Sequence, residues 1–403
     1  MTGRERVMAI INGDIPDRVP ITLHNFQMAV ERTGRPYNEV LRSGELLAEA
    51  MLNEWREFEH DLILLEIGTA CSAEAMGAEV QYDVDRSAVS HGPAIQSLDE
   101  VEKLVIPKNF YDKPSWKVTM DAVCILRKEL GDKVAICGRA DQGPFSLASM
   151  LRGMEDFMMD IGDPDVDDTK IHRLMELCEE VVFRYAQALQ QAGADCTSIG
   201  ESFAGPDMMN PDDYRRLAFP HEKKVIERVQ QELNLPFHLH VCGSALPILE
   251  DMMNTTAQVL EIDQNADMKD AKNITQGKCV IHGNVDPVKC IFGSADNDGI
   301  YTVVASSTSA ITVKENLTDE SPGAIVFFRR DPQRLLVPGS GADGDAYTVS
   351  GIPTQLQYSI TGFLDTNGNG LLDRLIDPHV HFLDGNLMPG TDFNELNIDL
   401  PNV

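Results

Sequence analysis

Apolar positions over the first 293 residues follow two alternating periods. Short runs bounded by turn residues read as buried strands: Val19–Leu23, Asp61–Ile67, Lys133–Gly138, Ala194–Gly200, Pro236–Cys242, Val259–Asp263 and Lys278–Gly283. Between them the pattern is helical. In residues Asp168 to Ala192, Ile171, Leu174, Met175, Cys178, Val181, Val182, Tyr185 and Leu189 recur at steps of three and four, and Gly193 marks the stop. Asn210-Pro-Asp-Asp-Tyr214 is a helix start: Asn caps, Pro takes the first turn, and two carboxylates face the helix dipole. Seven strand–helix repeats imply a parallel sheet. The expectation is an α/β protein, a (β/α)8 TIM-type barrel lacking its usual eighth strand.

Beyond Gly293 the texture changes. Tyr301–Val304, Ala310–Val313, Ala324–Phe328, Tyr347–Ser350 and Gln357–Ile360 are short strand-like runs separated by Gly, Asp, Ser and Pro. They predict a β-rich tail of antiparallel sandwich type. The chain therefore divides into a barrel, 1–293, and a tail, 294–403. Cysteine and methionine usage shifts at the same place. All eight cysteines (71, 124, 137, 178, 196, 242, 279 and 290) precede residue 293, and Met388 is the one methionine after it.

Chemistry in such a barrel sits where the strands end. Polar residues recur there: His24 and Asn25, Glu66, Arg139 and Asp141, Glu201, His240 and Cys242, Asp263, Asn284 and Asp286. For each one alone, a loop or capping role is the plain alternative. His240 and Cys242 stand two apart on a strand, so both side chains point to one side. An imidazole and a thiol presented together suit zinc. A buried cysteine beside a capping histidine is the competing reading.

A formal charge of −30 disfavours nucleic acid and anionic membrane surfaces as partners. The cysteines contain no CxxC and their spacing is irregular, which is reduced-compartment usage. The N-terminus lacks a secretory signal and no apolar run approaches a membrane span, so a cytoplasmic protein is expected.

Several segments, in order along the chain, resemble the uroporphyrinogen decarboxylase superfamily. They are Arg4 to Pro20, Ala73-Glu-Ala-Met-Gly-Ala-Glu79, Gly143-Pro-Phe-Ser-Leu-Ala-Ser149 and His282-Gly-Asn-Val-Asp-Pro287. That superfamily contains decarboxylases and zinc-dependent corrinoid methyltransferases. The decarboxylases carry an arginine-rich grip after the first strand. Here that position reads Leu23-His-Asn-Phe-Gln-Met28, flanked by Arg18 and Arg32. The methyltransferase branch places His-x-Cys at the end of strand five, as His240 and Cys242 stand here. The resemblance thus implies zinc on His240 and Cys242, a methylated corrinoid protein as donor and a small thiol such as coenzyme M as acceptor. It implies Glu201 as a further oxygen ligand or proton acceptor, Asp263 as the group orienting His240, and His24, Asn284 and Asp286 as substrate contacts. The branch takes its third zinc ligand from a cysteine after strand eight. Leu335-Leu-Val-Pro-Gly-Ser340 echoes that turn with a serine in the cysteine's place and reads as coincidence; Cys279 and Cys290 would substitute only if the loop after strand seven folded inward, and a structural role is the favoured reading for both.

The tail carries its own motif. Asp365, Asn367, Asn369 and Asp373 space oxygen ligands around glycines, as a calcium loop does, but Ile376 replaces the twelfth-position glutamate of an EF-hand. An Asn-Gly turn is the alternative. Tyr358 to Gly370 resembles bacterial extracytoplasmic β-sandwich modules, and His379 and His381 form a pair without a further ligand nearby. Three functions remain in play: zinc-dependent methyl transfer, porphyrin-pathway decarboxylation, and a non-enzymatic surface module with an inert barrel remnant.

Overall fold

The computed structural model describes residues 1–24 and 26–285, together with six tail strands. It divides into two compact units, Met1–Asn284 and Val285–Val403.

In the first unit seven strands form one sheet: β1 (Thr22–Leu23), β2 (Leu62–Leu65), β5 (Ala135–Gln142), β6 (Cys196–Glu201), β7 (Phe237–Val241), β8 (Val259–Glu261) and β9 (Val280–His282). Every neighbouring pair is parallel and the spatial order is the chain order. His24, just past β1, hydrogen-bonds Glu261 on the sixth strand, so the sheet curls round on itself. This is the TIM-type arrangement expected, with β1 and β9 as the outer strands among the described residues. Helices cover the outer side of the central strands, and all eight positions of β5 are buried, its polar Arg139, Asp141 and Gln142 included.

The expected helix is present at Asp168–Ala192, closed by Gly193 at φ 116°. Asn210 caps its helix by accepting from Asp212 N and Asp213 N, 3.0 and 2.9 Å away. One feature has no counterpart in the sequence expectations, the antiparallel hairpin β3 (Glu79–Gln81) and β4 (Val89–Gly92).

The helix Gly3–Ile11 starts with a capping box, Thr2 and Glu5. Gly3 is required there, since a Cβ would fall 2.9 Å from Asp61 Cα. Val7 from this helix packs with Leu62, Leu64, Ala135, Cys137 and Cys196. Arg6 and Arg18 both grip the buried Asp61, which also accepts from Ile21 N at 2.7 Å. That network accounts structurally for the charged N-terminal segment.

The second unit shows Val303–Ser307 paired antiparallel with Ala310–Val313. Separately, Leu335–Val337, Ile325–Arg329, Tyr358–Phe363 and His379–Gly385 form a four-stranded antiparallel sheet in that order. Asp365, Asn367, Asn369 and Asp373 lie outside the described residues, as do Asn25, Asp286, Cys290, Ser340 and the expected Tyr347–Ser350 run.

Candidate active site

Alternation along each strand sends every second side chain to one side of the sheet. At the strand ends this set is polar and meets in one cluster. His24 bridges two carboxylates, with Nε2 2.8 Å from Glu66 Oε1 and Nδ1 2.9 Å from Glu261 Oε1. Arg139 Nε lies 2.9 Å from Glu66 Oε2, an ion pair whose N–H is not aligned for a hydrogen bond, and Arg139 Nη1 is 4.0 Å from Glu261 Oε2. Arg139, Glu66 and Glu261 are all buried.

Charges balance, because two cations face two carboxylates. Burial opposes protonation of His24, yet Glu66 and Glu261 outweigh it and lift its pKa to about 10. Burial likewise opposes ionisation of Glu261, but the His24 hydrogen bond and the imidazoles of His240, His24 and His282 hold it well below the usual carboxylate range. His240 goes the other way: burial lowers its pKa from the ordinary imidazole value.

His240 Nε2 and Cys242 Sγ are 3.2 Å apart. Two such ligands on one tetrahedral zinc would sit about 3.5 Å apart, given Zn–N of about 2.0–2.1 Å and Zn–S of about 2.3 Å. The donor pair therefore fits the metal. On the other edge of the ring, His240 Nδ1 is 3.7 Å from Glu261 Oε2. Among the described residues, no third histidine, cysteine or carboxylate joins this pair in a metal-binding group.

Two expected residues make contacts other than those expected of them. The Asp263 carboxylate accepts from Gly243 N and Gln264 N, both at 2.8 Å, and so fastens the loop after β7. Glu261, the register partner of His240, is the carboxylate in ion-pair range of the ring. Glu201 is not beside the His240–Cys242 pair. It accepts from Phe145 N at 3.1 Å, Ser146 N at 2.8 Å and Ser146 Oγ at 2.6 Å, and so caps the helix Pro144–Arg152. Its neighbour Gly200 takes the opposite parity. Asn284 uses its amide to hold backbone, donating to Ala266 O at 2.6 Å and Asp263 O at 3.4 Å. His24 is at the centre of the cluster. Cys279, half-buried, is a free thiol on the strand-nine segment, apart from the pair.

Gly200 gives Arg139 its room. A Cβ there would meet Arg139 Nη2 at 2.1 Å. Gly200→Ala is therefore expected to displace the guanidinium from Glu66 and cost about 1–3 kcal/mol. Urea denaturation would read this, and unchanged stability would contradict the packing described.

A parallel barrel with a His-x-Cys pair and an acid–base cluster at its strand ends is the architecture of a barrel enzyme. The family model described as uroporphyrinogen decarboxylase (URO-D) matches residues 2–307, and the chain belongs to that family. It is 24% identical over 291 residues to a methylcobamide:CoM methyltransferase, MtaA, of Methanosarcina barkeri, covering 70% of this chain and 82% of the relative. Similarity extends to a uroporphyrinogen decarboxylase of Nostoc punctiforme, 25% identical over 293 residues, covering 70% of this chain and 80% of the relative. Among solved structures, a methyltransferase from Methanosarcina mazei superposes with a TM-score of 0.64 at 26% identity, over 73% of this chain and 88% of that one. The relatives are thus enzymes of two kinds. No helix among the described residues is long and apolar enough to cross a membrane.

Proposed function

We propose that this chain transfers a methyl group from a methylated corrinoid protein to a small thiol, with zinc held by His240 and Cys242. The observation carrying this reading is the convergence of His240 Nε2 and Cys242 Sγ at 3.2 Å in the strand-end cluster. Zinc bound there would supply the Lewis acidity that keeps an acceptor thiol ionised at neutral pH. Glu261 places a carboxylate 3.7 Å from the imidazole, and His24 with Arg139 neutralises Glu261 and Glu66 so that the buried carboxylates do not repel an incoming thiolate.

Decarboxylation is the second reading, favoured by the similarity to uroporphyrinogen decarboxylases. It requires free cationic groups for a substrate with many carboxylates. Arg139 is tied to Glu66, Arg18 to Asp61 and Arg32 to Glu57, so the arginines nearest the first strand are already paired. A cytoplasmic location goes with the methyl-transfer reading, since an enzyme working on free thiols needs a reducing compartment.

The test is turnover of methylcobalamin with coenzyme M by the full chain, alongside zinc analysis. Methyl transfer is expected, with loss of zinc and at least about a 100-fold fall in rate for Cys242→Ala, more than an outer partner's loss would cause. Transfer undiminished in Cys242→Ala, or decarboxylation of uroporphyrinogen in place of methyl transfer, would overturn the reading.

A further inference from the structure

Below the strand-end cluster the barrel interior holds a second set of soft donors. Cys137 on β5 and Cys196 on β6 are direct register partners. His238 on β7 lies two residues before His240 on the same side of the strand, about 7 Å deeper at the rise of a β-strand. The two sulfurs and a ring nitrogen of His238 all lie within 4.8 Å of one another, and all three residues are buried. Independently of that spacing, His238 is 3% exposed and neither of its ring nitrogens has a hydrogen-bond partner. A buried imidazole with both nitrogens unmatched is costly, about 1–3 kcal/mol for each unsatisfied group, and native interiors rarely leave one so. Ser198, opposite His238 in the register, adds a buried hydroxyl that also lacks a partner.

We propose that Cys137, Cys196 and His238 form a structural zinc site inside the barrel, separate from the His240–Cys242 pair. Its chemistry selects the metal. Two thiolates and a neutral imidazole around a divalent cation sum to zero charge, which a desolvated interior tolerates, whereas a monovalent soft ion would leave a net negative charge there. Zinc–ligand lengths of about 2.0–2.3 Å set donor atoms roughly 3.5–3.8 Å apart, so the cluster closes on the metal by side-chain shifts of about 1 Å. The site is structural, because Val7, Leu62, Leu64 and Ala135 pack around the two cysteines and leave no place for a substrate. Zinc would enter as the barrel folds, tying β5, β6 and β7 together from within.

The test is metal content of the full chain purified under reducing conditions, in four forms. His240→Ala with Cys242→Ser removes the strand-end pair and is expected to retain about one zinc per chain. Adding Cys137→Ser and Cys196→Ser is expected to abolish that zinc. Cobalt substituted into the first variant should show an intense thiolate-to-cobalt charge-transfer band, which the added substitutions erase. Cys137→Ser with Cys196→Ser alone, in the otherwise natural chain, should lower bound zinc by one equivalent. Circular dichroism identifies any variant that has not folded, and the natural chain then serves as the second measurement. X-ray absorption on it should show zinc with two sulfurs and one imidazole among its ligands. Three results overturn the proposal: no zinc in folded His240→Ala/Cys242→Ser protein, zinc unaffected by loss of Cys137 and Cys196, or a Cys137–Cys196 disulfide in the reduced preparation. Each is distinguishable from failure of the methyl-transfer reading, which depends on His240 and Cys242.

Discussion

Replacing His24 with alanine is expected to destabilise the barrel by about 1–3 kcal/mol near pH 6, less than the cost of breaking a fully buried ion pair, because Glu66 and Glu261 are buried but the His24 side chain keeps 29% of its surface exposed. His24 holds Glu66 at 2.8 Å and Glu261 at 2.9 Å, and without it two buried carboxylates would share Arg139 alone. The pH dependence of the loss identifies its cause. The folded-state pKa of His24 is raised from 6.5 to about 10, so its contribution is fully present below 6.5 and drains away as pH rises through about 10. Glu261 has the opposite sign. Its pKa is held below the ordinary 4.5, so its contribution is present above 4.5 and is lost as pH falls through the depressed value. The stability gap between natural and His24→Ala protein should thus be widest between pH 4.5 and 6.5 and narrow toward pH 10. Urea midpoints at about pH 6, 8 and 10 would measure it. A gap constant across that range would mean that His24 acts through packing and not through charge.

The same network explains why the mouth of this barrel can hold a neutral His240 beside ionised carboxylates. Arg139 and His24 absorb the negative charge of Glu66 and Glu261, and burial then pushes the His240 pKa down, toward the neutral form that a metal ligand needs. Neutral nitrogen and adjacent thiol are therefore products of the surrounding ion pairs as much as of the His-x-Cys spacing.

Much of this was legible in the sequence. The strands announce themselves because parallel strands covered by helices on one side and packed within on the other carry short apolar runs, so Asp61–Ile67 and Lys133–Gly138 stand out without any partner in view. Residues Glu79–Gln81 and Val89–Gly92 do not, since their exposed and half-exposed positions carry no apolar run. At the site, strand ends were identifiable but the contacts of Glu201 and Asp263 were not. Proximity to a strand end does not say which side a residue faces. Glu201 follows Gly200, and one step of parity turns it from the cluster to the cap of the helix Pro144–Arg152. Register is the other hidden quantity. Glu261 stands opposite His240 because β7 and β8 pair His240 with Glu261, and a single parallel strand gives no local signal of that offset. Asp263, two residues further, reaches Gly243 instead. Cys137, Cys196 and His238 escaped notice for the same reason: they are far apart in the chain, and only the sheet register gathers them.

Glu201 also allows a decisive separation of structure from chemistry. Glu201→Ala removes the acceptor for Phe145 N, Ser146 N and Ser146 Oγ, all buried, and empties the space a carboxyethyl side chain fills against Gly143. Two or three orphaned donors at about 1–3 kcal/mol each, partly relieved by relaxation and water entry, predict a loss of about 3–5 kcal/mol. Gly143 and Pro144 begin that helix, so its first turn should loosen before the rest, visible as faster amide exchange at Phe145 and Ser146. Glu201→Gln keeps the volume but turns an amide NH2 toward one of the donors, and should cost about 1–3 kcal/mol. A carboxylate that binds zinc or takes a proton during turnover would behave differently. Its alanine variant would keep normal stability and amide protection while losing rate or metal. The capping role predicts the reverse, a less stable protein whose zinc content and per-folded-molecule turnover are nearly those of the natural chain. Stability, amide exchange and zinc analysis on one preparation therefore decide between the two, because the hydrogen bonds of Glu201 run to a helix end and not to His240 or Cys242.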